Sequence, residues 1–265
     1  MVDVADGVRL NVRHTPGSGS PFVLVHGLAS NARLWDEVAA RLAAAGHPSY
    51  AVDLRGHGSS DLPASGFTTA VAASDVAAVI TSLGLSRPVV AGQSWGGNVV
   101  VALGAAHPSL VSALALVDGG WGDLAASFPS WEACYKALLP PSLDGMRAEK
   151  FRGFLRSRHA DWSPAAIDAT VANLRELPDG RLERRLPIDK HMEIVRSMWD
   201  DPPRAHFAAL TMPVLLLPAR SAGRARAAAS AMPSGSVRSY EGGDHDLHAQ
   251  QPDAVAADLL TLVPS

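Results

Sequence analysis

The segment Gly92-Gln93-Ser94-Trp95-Gly96 sets one serine between glycines, after the apolar run 88–91 and before the helix-like run 98–106. A serine hydroxyl attacks an acyl carbon efficiently only when a base removes its proton. It must also be held where a substrate can reach it. A strand, a very tight turn and a helix meet that need. The turn forces the serine into a strained backbone conformation and leaves its neighbours almost no room for side chains, which Gly92 and Gly96, with Gly97 behind, satisfy. The hydroxyl then stands at the carboxyl edge of a sheet, over a helix N-terminus whose free N–H groups and dipole favour developing negative charge. The pattern points to Ser94 as a nucleophile; the alternative is an ordinary glycine-rich turn.

The surrounding chain supplies the elements such a turn needs. Val8 to Val12, Phe22 to Val25, Ser49 to Leu54, Val89 to Gly92 and Ala113 to Val117 read as strands. Leu34 to Ala45, Thr68 to Leu83 and Asn98 to Ala106 read as helices, the first two closed by Gly46 and Gly84. This alternation predicts an α/β fold: a mostly parallel sheet of about eight strands with helices on both faces. The rhythm breaks at Gly119-Gly120. From Trp121 to about Pro203 the sequence reads as helical, with no convincing strand, and contains four of the six tryptophans (Trp121, Trp131, Trp162, Trp199). A strand at 213–217, a helix at 224–231, a strand at 237–240 and a helix at 253–262 complete the pattern. The expected organisation is a core of residues 1–120 and 204–265, interrupted by a helical cap at 121–203. Some cap aromatics are expected to face a pocket at the strands' carboxyl ends.

Composition narrows the function classes. The 265 residues are 47% hydrophobic and 18% charged, the balance of a globular chain, and the net charge of −3 gives no reason to expect nucleic acid or an anionic membrane as partner. Cys134 is the only cysteine, so no intramolecular disulfide is possible. No signal-peptide pattern or membrane-length apolar run is visible, and the expected location is cytoplasmic. There is no metal-ligand spacing and no phosphate or dinucleotide loop, so no metal or cofactor is expected.

Four segments in order resemble the α/β-hydrolase superfamily: His26-Gly27-Leu28, Asp53-Leu54-Arg55-Gly56-His57-Gly58-Ser59-Ser60, Gly92 to Gly97, and Gly243-Asp244-His245 with Gln250-Gln251-Pro252. The resemblance covers nearly the whole chain and implies a serine hydrolase fold with a helical cap. It implies that the backbone N–H groups of Leu28 and Trp95 form an oxyanion hole. It also gives His26, His57, Asp53 and Arg55 structural roles in the loops. His245 is the candidate base, since it lies in a glycine-containing loop after the last strand. His248, three residues on, competes with it. The acid departs from the common pattern. Most relatives carry an Asp soon after the 213–217 strand, but the loop here reads Pro218-Ala219-Arg220-Ser221-Ala222-Gly223. Some branches place the acid one strand earlier, where this chain has Asp118. The alternative for Asp118 is an ordinary strand-end residue.

The expected activity is cleavage of a carboxylic ester or lactone through an acyl-enzyme, on a small-molecule, hydrophobic acyl substrate of medium size. Ser94, His245 and Asp118 would form the triad. Serine rather than aspartate at the turn argues against dehalogenase or epoxide hydrolase chemistry. Two other readings stay open: amide, C–C or perhydrolytic chemistry on the same triad, and a degenerate hydrolase that only binds ligand. The missing acid after Leu217 is the one feature favouring the latter.

Overall fold

Runs of β-branched and aliphatic residues build a sheet buried on both faces. The computed structural model describes residues 1–240 and 242–264, the Asp6 side chain excepted. The chain begins with β1 (Val2–Asp3), β2 (Arg9–Leu10), β3 (Val12–Thr15) and β4 (Phe22–Val25), then α1 (Asp36–Ala44), β5 (Ser49–Val52), α2 (Thr69–Ser82), β6 (Val89–Gln93), α3 (Trp95–Ala106) and β7 (Ala113–Val117). Next come α4 (Leu124–Ser127), α5 (Trp131–Leu138), α6 (Ala148–Arg158), α7 (Pro164–Val171), β8 (Leu174–Glu176), β9 (Leu182–Arg184) and α8 (Ile188–Asp200). The chain then returns through β10 (Val214–Leu217), α9 (Gly223–Ser230), β11 (Gly235–Val237), α10 (Leu247–Gln250) and α11 (Pro252–Leu260).

Seven strands form the main sheet in the order β11-β10-β7-β6-β4-β5-β3, parallel except for β3 at one edge. Every residue of β4, β6, β7 and β10 is buried, which is why these strands read as unbroken apolar runs rather than alternating ones. One face packs on α2 and α3 through Val76, Ile80, Val100 and Leu103; the other packs on α1 and α11 through Val38, Leu42, Val255 and Leu259.

The main sheet has seven strands, in keeping with the expected mostly parallel sheet of about eight. Two expectations are corrected. The stretch read as one strand from Val8 to Val12 divides, β2 pairing with β1 in a separate ribbon while β3 joins the sheet against β5. The segment read as strand-free contains a β8–β9 hairpin. Its strands, Leu-Arg-Glu and Leu-Glu-Arg, are three residues each and largely solvent-facing, so no apolar alternation betrays them. The intervening Pro178-Asp179-Gly180 is nonetheless a turn signature, with Gly180 at φ +79°.

The loops at the carboxyl edge are held by buried charge. Asp53, after β5, accepts hydrogen bonds from the N–H groups of Ala32 (2.7 Å) and Ser59 (2.9 Å) and from Asn11 Nδ2 (2.8 Å). Arg55 forms a bidentate pair with Asp75 of α2 at 2.7 and 2.8 Å, both side chains almost wholly buried. Removing one partner would leave the other charge without water or counter-ion. Asp75→Ala is therefore expected to cost about 3–5 kcal/mol of unfolding free energy, read from the midpoint and slope of urea denaturation. A change under 1 kcal/mol would contradict this account.

Candidate active site

Ser94 follows the last residue of β6 and caps α3. Its backbone sits at φ 52°, ψ −121°, a region that a residue with a side chain occupies only under strain. The strain persists because the surroundings leave no alternative. Ser94 N–H donates to the Val117 carbonyl (3.0 Å), and the Ser94 carbonyl accepts from Gly97 N–H (2.9 Å). A Cβ on Gly92 would overlap the Gly96 carbonyl, and one on Gly96 would reach the Val25 and His26 carbonyls at 2.6 and 2.5 Å.

Asp118 holds the matching position one strand over. β6 and β7 are parallel neighbours with Gln93 opposite Val117, so Ser94 and Asp118 leave the sheet side by side. Asp118 also has positive φ (42°). Gly119, which the sequence marked only as the end of the β/α rhythm, explains how the two turns fit: a Cβ there would overlap the Ser94 backbone.

Asp118 Oδ1 accepts from Ala219 N–H (2.9 Å), and Oδ2 lies 2.7 Å from His245 Nδ1. The loop after β10 thus contributes a backbone donor that orients the carboxylate from β7. Since a carboxylate accepts, Nδ1 carries the imidazole proton and Nε2 keeps its lone pair. His245 is half-exposed. The hydrogen bond to Asp118 raises its pKa above 6.5, aided by the charges of Asp246, Asp118 and Asp244, while burial opposes the rise. The His245 loop is fastened from several sides. Gln93 Nε2 donates to the His245 carbonyl (3.0 Å), Gln250 Oε1 accepts from Asp244 N–H (2.6 Å), and the Asp244 carboxylate meets His159 Nδ1 (2.8 Å). Asp244 therefore points away from the His245 ring. Gln93 and His159 had no sequence signal, because neither partner is near in the chain.

The other histidines are packed. His248 is fully buried against Trp35, with ring centroids 4.3 Å apart, and burial pushes its pKa down to about 3. Its nitrogens meet no partner among the described residues, and its full burial sets it apart from the half-exposed His245. His26 Nδ1–H donates to the Gly27 carbonyl (2.7 Å) and Nε2 accepts from Leu54 N–H (3.0 Å). His57 Nδ1–H donates to the Arg55 carbonyl (2.9 Å) and Nε2 accepts from Ala29 N–H (3.1 Å), with its pKa lowered to about 3 by burial. Both rings shape the loop carrying Leu28. The N–H groups of Leu28 and Trp95 form no hydrogen bond among the described residues. At Gly27 this loop abuts the elbow, a Cβ there standing 3.0 Å from Ser94 Cβ.

Cys134 is buried with Met192 and Val195, and burial raises its thiol pKa, leaving it an inert packing residue. Trp121 lines a cleft of about 520 Å³ with Asp118, His245, Arg220 and Arg224. Trp131 and Trp199 pack edge to face on each other, and Trp162 lies against His159. Among the described residues no cluster of side chains could hold a metal ion, and no helix is long and apolar enough to cross a membrane.

The family model for the alpha/beta hydrolase fold matches residues 20–218. The chain belongs to that family. It is 36% identical to a putative non-heme haloperoxidase of Mycobacterium phage D29 over 120 residues, 45% of this chain and 43% of that one. It is 33% identical to lipase LipV of Mycobacterium tuberculosis over 181 residues, 66% of each. The chain thus spans less than half the length of the first of these relatives. In three dimensions it matches the crystal structure of E-2-(acetamidomethylene)succinate hydrolase with a TM-score of 0.81 at 23% identity, covering 100% of this chain and 98% of the other.

The Asp118 contact makes a spectroscopic prediction. His245 is expected to titrate above 6.5, and Asp118→Asn, which removes the charged acceptor, to lower that value. Imidazole NMR across a pH series reads both, with His57 and His248 remaining neutral throughout as internal references. An unchanged His245 titration in the variant would break the link.

Proposed function

We propose that the protein is a serine hydrolase that cleaves a carboxylic ester or lactone through an acyl-enzyme. Residues 121–203 would act as a cap over the carboxyl edge of the sheet. The observation carrying the proposal is the 2.7 Å contact between Asp118 and His245 Nδ1 beside the strained Ser94 turn. It accounts for the absence of a carboxylate after Leu217, and with it goes the one feature that favoured a non-catalytic binding protein. The names of lipase LipV and of the hydrolase fold neighbour agree with acyl-bond hydrolysis.

Ser94 Oγ attacks the acyl carbon while its proton passes to His245 Nε2. The carbonyl electron pair moves to oxygen, where the Leu28 and Trp95 N–H groups receive it. One such donor contributes about 2.7–4 kcal/mol to transition-state stability. Collapse re-forms the carbonyl and expels the alkoxide, which takes the proton from His245. A water molecule then gives its proton to the same nitrogen and attacks the acyl-enzyme, releasing the acid and restoring Ser94. Asp118 keeps Nδ1 protonated and stabilises the imidazolium that forms twice per cycle. The acetamido group in the fold neighbour's name favours an amide as the second bond type to test.

Purified protein is expected to hydrolyse a short p-nitrophenyl ester and to be labelled at Ser94 by a fluorophosphonate. Ser94→Ala should lose both, and folded wild type that takes no label would overturn the proposal. Because the base must be neutral, kcat/KM should fall as pH drops through the raised His245 pKa. Asp118→Asn should cut turnover by roughly 10⁴, the effect of the same change in a well-studied triad, and move the acid limb to lower pH. Near-wild-type turnover would mean that another group orients His245.

A further inference from the structure

A partly open cavity of about 200 Å³ is lined by the end of the loop that abuts Ser94. Ala29, Ser30 and His57 line it, and Phe151, Leu174 and Leu186 supply apolar surface. Into this cavity face Arg184 and Arg185, at the end of β9. Neighbouring arginines in the same hairpin are neutralised, Arg175 by Glu183 and Arg181 by Asp179. Arg184 and Arg185 meet no carboxylate among the described residues. Arg184 touches the Pro141 carbonyl, and Arg185 the carbonyls of Ala172 (3.1 Å) and Gly58 (3.3 Å).

Each guanidinium has five N–H donors in a planar fork suited to a carboxylate, so most of these donors are unused. No Asp or Glu lines the cavity. His191 also lines it, with its pKa lowered by burial and then by the Arg184 charge, and His57 is neutral, so the positive charge resides on the two arginines. Arg184 is half-buried and Arg185 stands exposed at the rim, so the two guanidiniums, without a counter-ion and beside apolar surface, offer an incoming anion charge-assisted hydrogen bonds.

We propose that this cavity binds a carboxylate on the acyl portion of the substrate, through Arg184 and Arg185, so that the preferred substrates are monoesters of short dicarboxylic acids. The proposal rests on Ser94 being the nucleophile. From Gly27, against Ser94, to Ala29 on the cavity wall is two residues, roughly 7 Å of chain. An acyl chain of a few methylenes spans that distance, its carbons against Leu174 and Leu186 and its carboxylate at the guanidinium forks.

The test compares mono-p-nitrophenyl glutarate with its neutral methyl ester on the full chain. The free carboxylate is expected to raise kcat/KM by roughly tenfold, the low end for hydrogen bonds to a charged group. Arg184→Gln and Arg185→Gln should each reduce the ratio between the two esters, and the double variant should bring it to about one. Arg220→Ala and Arg224→Ala, which line the separate cleft with Asp118 and His245, should keep it. Glutarate itself should raise the melting temperature of wild type and not of the double variant, a readout that needs no catalysis. If neither ester is cleaved but glutarate still stabilises in an Arg184- and Arg185-dependent way, the carboxylate site stands and the hydrolase reading fails. An ester ratio near one in wild type with no shift from glutarate overturns the site. So does a ratio that survives the double variant or collapses with Arg220→Ala or Arg224→Ala.

Discussion

The register between β6 and β7 is the constraint on which the rest depends. Gln93 opposite Val117 puts two positive-φ residues, Ser94 and Asp118, next to each other at the end of two central buried strands. Such backbone conformations cost free energy, of order 1–3 kcal/mol each, and survive only where packing over-determines them. Here Gly92, Gly96 and Gly119 let backbone touch backbone around the turn, and the hydrophobic interior on both faces holds the strands in place. A one-residue slip would turn every side chain of a buried strand to the opposite face. The site is therefore as exactly registered as the core itself.

Around that fixed pair, His245 is held by contacts rather than by the sheet. His245 arrives on irregular chain after β11, and its orientation comes from contacts made by distant segments. Asp118 fixes the ring, Gln93 the backbone carbonyl, and Gln250 and His159 the preceding residue. Ala219 N–H fixes Asp118 in turn. With Asp118 as the acid we propose, the β10 loop takes a supporting part, as a donor rather than an acid.

Much of the fold was legible because buried parallel strands announce themselves as apolar runs between helical patterns, and glycine turns mark their ends. The elbow was legible because its tightness requires glycine. Asp118 came from the resemblance, some branches of which place the acid after the strand that ends at Val117. The β8–β9 hairpin was not legible, since three-residue, solvent-facing strands such as Leu-Arg-Glu bury too little to impose a period of two. Nor were Gln93, His159, Arg184 and Arg185 as site neighbours. Their relevance comes from contacts more than fifty residues apart in the chain, or from the absence of a partner, and neither leaves a local pattern.

The links from the loop of His245 to the inserted helices have a mechanical meaning. His159, just beyond α6, holds Asp244, and Asp161 accepts from Gln250 Nε2 (2.7 Å) while Gln250 holds the Asp244 backbone. Any displacement of the α6 end from the sheet edge therefore pulls on the residue beside the base, while Ser94 and Asp118 stay anchored in the strands. For the base we propose, the packing of the α6 end and the aim of the imidazole are linked through one residue, Asp244.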